Sequence, residues 1–193
     1  GADVTFRRTS GYTDEDRAMS ALMASANKGH TNIVKLLLDK GADTEIINNY
    51  YHTALSLASE KGHTEIVKLL LKAGANTEAD AKKGINYCDT PLENAIRNHH
   101  DEIVEILIEA GANINHINDD ELSILDVALE CDNKYVCKLL IDAGVIITPI
   151  MLLRWSYLGD IDAVEFLLEN GADPHAKSKF HHWWDWDGPP GVC

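Results

Sequence analysis
The sequence predicts an all-α solenoid of stacked helical hairpins, and three observations predict it. A 24-residue pattern recurs along the chain. Its equivalent glycines lie 33 residues apart, from Gly41 to Gly74 and again from Gly111 to Gly144. The copies also put capping residues, and in most of them glycines, where two short helices have to start and stop.

The pattern is clearest from Thr53 to Asn76, TALSLASEKGHTEIVKLLLKAGAN. Thr53 is expected to N-cap a first helix whose narrow apolar face is Leu55, Leu57 and Ala58, and Gly62 to end it in the left-handed conformation. Thr64 is expected to cap a second helix. Glu65 would suit the positive end of that helix dipole, and Ile66, Val67, Leu69, Leu70 and Leu71 would supply the apolar face. Copies run from Ser20 to Asp43, Thr90 to Asn113 and Ser123 to Val145, with a weaker one from Ile150 to Asp173. Helix pairs are therefore expected near 17–40, 53–73, 90–110, 123–143 and 149–170, in an array over 1–175 followed by a tail at 176–193.

The TPL, GH, IV-LLL and GAD or GAN elements at this spacing resemble ankyrin repeats, over roughly residues 1 to 175. The resemblance implies helix-turn-helix units carrying short β-hairpin fingers. It also implies that the histidines of the GH pairs, His30 and His63, are internal clasps bonded to backbone or to a neighbouring Thr.

A formal charge of -14 disfavours unassisted binding to nucleic acid or to an anionic membrane, since both would repel the chain. A basic protein partner is the natural complement. No run of 18 apolar residues exists to cross a bilayer. The chain starts at Gly1 within a GAD element, which reads as a processed or excised piece, and a cytoplasmic location is expected. Cys88, Cys131, Cys137 and Cys193 lack metal-ligand spacing and read as free thiols.

Along the chain, departures from the pattern mark where binding is expected. The second finger carries Tyr50, Tyr51 and His52, with Tyr51 where the family pattern has a turn glycine. The third finger is four residues longer than its neighbours, with Lys82, Lys83 and Gly84 followed by Tyr87. Long tips cost little closure entropy and commonly carry recognition. His99 replaces the glycine that stops the third first-helix, so that end should be strained, frayed or contact-bearing. Asp119, Asp120 and Glu121 crowd the fourth tip, where they could steer a cationic partner, and Cys131 and Asp132 displace the usual Lys-Gly pair.

The last copy has no room for a finger. Thr148-Pro149 should cap its first helix directly, and Trp155 stands where the earlier copies have alanine. Phe180, Trp183, Trp184 and Trp186 in the tail are expected to cover the apolar end of the array or to dock another protein.

No nucleophile elbow, phosphate loop or zinc-protease motif occurs, and Cys137 takes the core position of Val67, so no catalytic activity, cofactor or metal is expected. The histidines and aspartates of the tail lack the spacing of a metal site.

The resemblance implies partner binding in a groove lined by fingers and first helices. Carried onto this chain, with the departures above, the binding residues are Arg17, Tyr50, Tyr51, His52, Glu60, Lys61, Tyr87, Arg97, Asp119, Asp120, Glu121, Leu122, Glu130 and Tyr157. The expected function is a non-catalytic interaction module, monomeric when free, that binds a basic protein as an inhibitor or immunity-type protein. The alternative is a secreted bacterial effector, a viral host-interaction protein or a scaffold fragment that docks a host protein through the groove or the tail.

Overall fold
In the computed structural model, residues 19–78, 90–118, 120–175 and 177 are described. The chain divides into two compact units, Gly1–Val145 and Ile146–Cys193. Among its described residues the first unit holds eight helices: α1 Ala21–Asn27, α2 Thr31–Asp39, α3 Ala54–Glu60, α4 Thr64–Lys72, α5 Pro91–Arg97, α6 Asp101–Glu109, α7 Ile124–Glu130 and α8 Lys134–Asp142. The second holds α9 Pro149–Leu158 and α10 Ile161–Glu169.

In the first unit each pair is a seven-residue helix packed against a nine-residue one, whereas α9 has ten residues and α10 nine. In the first unit α1, α3, α5 and α7 stack face to face, and α2, α4, α6 and α8 form a second layer behind them. The first helices are set by their caps. The side-chain oxygens of Ser20, Thr53, Thr90 and Ser123 accept the N–H of Met23, Ser56, Glu93 and Asp126 respectively. In the last three pairs the return bond to the cap N–H is also made.

The second helices depart from expectation. Thr64 is not a cap but the first helical residue, and the cap position belongs to His63, whose side chain makes no capping bond. The imidazole reaches instead to the backbone of the preceding pair.

The core repeats in register. Leu22, Leu55, Leu92 and Leu125 are buried on the first helices, and Val34, Val67, Val104 and Cys137 on the second. Burying a side chain of this size contributes roughly 1.5–3 kcal/mol, so identical layers add up pair by pair. Ala58, Ala95 and Ala128 are fully buried and small, which is what allows first helices of neighbouring pairs to approach closely.

Among the described residues the fingers are tight turns with one isolated β-bridge, Ile117 to Ser123, instead of extended strands. In the second unit, Thr148 precedes a helix with Pro149 in its first turn, and Trp155 is buried.

Candidate functional site
Two finger tips are described, and they are built alike. Asn48 is buried, and its Oδ1 accepts the N–H groups of Tyr50 and His52, both at 2.9 Å. The backbone closes the same loop, with Asn48 N donating to His52 O and Tyr51 N donating to Asn48 O. Asn118 repeats this at the fourth finger. Its Oδ1 accepts from Asp120 N at 3.1 Å and Leu122 N at 2.9 Å, and its Nδ2 donates to Glu93 Oε1 at 3.0 Å.

Each tip holds a non-glycine residue in the left-handed region, Tyr51 at φ 63° and Glu121 at φ 60°. That conformation costs an L-residue roughly 1–2 kcal/mol, and the asparagine bonds hold it in place. The side chains at these positions are thereby fixed against a local preference for glycine.

Glu93 anchors the fourth finger. It is buried on α5, closes the capping box to Thr90 N at 2.8 Å, and accepts from Asn118 across the gap between pairs. His116 Nε2 lies 4.0 Å from its other oxygen. The finger is thus tied to the helix beneath it by a carboxylate that never reaches solvent.

The ends of the first helices form a second row. Lys61 Nζ pairs with Glu60 Oε1 at 2.6 Å on α3, and Arg97 Nη1 on α5 reaches Glu130 Oε2 on α7 at 3.4 Å. Both pairs are partly exposed, so each contributes less than about 1 kcal/mol. Their charges remain within reach of a partner.

His52 joins tip to row. Burial pushes its pKa down, the Glu60 carboxylate opposes this, and the Lys61 ammonium reinforces it. Its Nδ1 is buried without a hydrogen bond, which fits a ring held neutral.

The spacing between pairs is fixed by latches that sequence reading found only in part. His63 Nε2 donates to Asn27 O at 3.3 Å, and His100 Nε2 donates to Glu60 O at 3.1 Å. The expectation of a backbone clasp at His63 holds. His30 in the first pair is exposed. Glu45 Oε1 accepts Asn76 N at 3.1 Å, and Glu78 Oε1 accepts Asn113 N at 2.9 Å, from one finger base to the next. These carboxylates, His100, Asn48 and Asn118 were missed. The GADTE and GANTE repetition would have pointed to Glu45 and Glu78.

Comparison with known families decides what this arrangement is. Profiles described as ankyrin repeats in three copies match residues 4–83 and 77–151, and a single ankyrin repeat matches 147–179. The chain belongs to the ankyrin repeat family. Comparison with curated proteins gives no match. Ankyrin repeats are protein-interaction modules and the family is generally non-catalytic. Among the described residues of this ankyrin protein no helix is long and apolar enough to cross a membrane.

Of the residues the sequence nominates, Arg17, Tyr87 and Asp119 lie outside the described residues. Tyr50, Tyr51 and His52 share one tip with the Glu60–Lys61 end of α3, and Asp120, Glu121 and Leu122 share the other. Arg97 and Glu130 meet as a pair. Tyr157 belongs to the second unit, where it is exposed.

Proposed function
We propose that this ankyrin repeat protein is a non-catalytic binding protein that holds a basic protein through its finger tips and first-helix ends. The carrying observation is the pair of matched tips: each spends local stability to keep a large or charged residue, Tyr51 or Glu121, where glycine would be relaxed. Aromatic side chains at such positions supply binding energy. The acidic tip and the net charge of -14 supply steering.

A thiol nucleophile has no support, since Cys137 is buried and its pKa is pushed up to about 12 by desolvation. Inhibition of a basic toxin or nuclease fits a small acidic chain, and so does a scaffolding role. In this reading the free protein is a monomer located in the cytoplasm.

Co-purification from the native source followed by mass spectrometry identifies the partner. Stopped-flow association at rising salt then tests the mode of binding. The on-rate should fall with ionic strength, and Asp120→Asn with Glu121→Gln should lower it more than they raise the off-rate. Association that ignores both salt and these substitutions would reject charge steering.

A further inference from the structure
The last helix pair exposes an apolar surface of a kind that repeat arrays keep covered. Leu153 and Tyr157 lie one turn apart on α9, and Ile161 and Leu168 share a face of α10, all of them exposed, with Tyr157 at 76% and Ile161 at 72%. Counted from the turn glycine, Leu153 corresponds to Ser56 of the second pair, which is fully buried in the stack. A terminal repeat normally turns a polar face outward, and exposed patches of large apolar side chains mark a surface that something covers.

The chain supplies a cover of matching chemistry. Beyond α10 come residues 178–193, SKFHHWWDWDGPPGVC, which hold Phe180 and three of the four tryptophans, Trp183, Trp184 and Trp186. The ankyrin match ends at residue 179, so this aromatic cluster is not part of a repeat. Sixteen residues can extend about 50 Å, while ten-residue α9 is about 15 Å long, so the segment can reach any point of the face.

We infer that the segment 180–193 docks in cis on the α9–α10 face through its aromatic side chains. Apolar contact drives this docking, so it is insensitive to salt. In that respect it differs from the charge-steered surface proposed above.

The test is acrylamide quenching of tryptophan fluorescence in the full chain. The signal of Trp155 is subtracted using a chain that stops at Lys179, and a synthetic 178–193 peptide provides the free reference. The tail tryptophans should be quenched at least threefold less than in the peptide, at low and at high salt alike. Ile161→Asp or Leu168→Asp, changes at exposed positions, should restore peptide-like quenching. Hydrogen exchange in α9 and α10 should quicken about tenfold in the shortened chain while α3 to α6 stay unchanged. Peptide-like quenching in the full chain would overturn the inference, as would protection that survives both substitutions. So would a dimer in sedimentation that Leu153→Asp dissolves, because a second copy would then occupy the face.

Discussion

The imidazole of His63 closes over Gly29 of the preceding repeat, and its Nε2 donates to the carbonyl of Asn27. A Cβ added at Gly29 would lie 2.7 Å from His63 Cε1. One repeat further on, a Cβ at Gly62 would lie 2.6 Å from His100 Cε1. Glycine is therefore required at these helix ends for two reasons, the left-handed backbone and the ring of the next repeat. The third pair tests the second reason naturally: His99 replaces glycine at φ 56°, and the following repeat carries Asn133, a shorter side chain, at the clasp position.

Gly62→Ala should accordingly lower unfolding free energy by about 2–3 kcal/mol, with left-handed strain and overpacking adding together. Gly74→Ala, whose Cβ would meet open space, should cost only about 1 kcal/mol. Adding His100→Asn to Gly62→Ala should recover part of the loss, and a double-mutant cycle in urea reads the coupling directly.

The finger tips should respond in the opposite sense. Tyr51→Gly and Glu121→Gly relieve roughly 1–2 kcal/mol of left-handed strain while adding about 0.5–1 kcal/mol of unfolded-state entropy. The strain term is the larger, so each variant should be slightly more stable, by about 0.5–1 kcal/mol, seen as a higher urea midpoint.

His52 should make stability depend on pH. Burial holds its folded pKa below the ordinary 6.5, so the unfolded chain binds the proton more readily. The stability it contributes is present above 6.5 and is lost as pH falls from 6.5 through the lower folded value. Urea midpoints between pH 7.5 and 5 should fall less steeply in His52→Gln than in the native chain.

Cys137 should alkylate more slowly than Cys131 at pH 8. It is buried with its pKa pushed up to about 12, whereas Cys131 is half-buried. Mass-spectrometric mapping of timed iodoacetamide labelling should find Cys137 modified only when urea unfolds the repeats.

Much of the fold was legible because its signals are local. A Ser or Thr three residues before a polar N3 partner specifies a helix start, as Thr53 with Ser56 and Thr90 with Glu93 illustrate. The spacing of Leu55, Val67 and Leu70 specifies the buried faces. The substitutions at Tyr51, His99 and Asp132 were visible as replaced glycines of the repeat, and all three adopt the left-handed backbone that such a position implies. Thr64 misled because Thr before an apolar run reads as a cap, whereas the chain uses His63 there and turns its ring toward the preceding repeat.

By itself, then, the sequence determined the helical hairpins, their order and their repeat period, because hydrophobic periodicity, caps and glycines act within a few residues. Only the tertiary structure decided which polar groups meet across repeats: His100 with Glu60 O, Glu45 with Asn76 N, and Asn118 with buried Glu93. Those pairings depend on the rise and rotation between stacked pairs. That geometry comes from the packing of small residues such as Ala58 and Ala95, and no single repeat contains it.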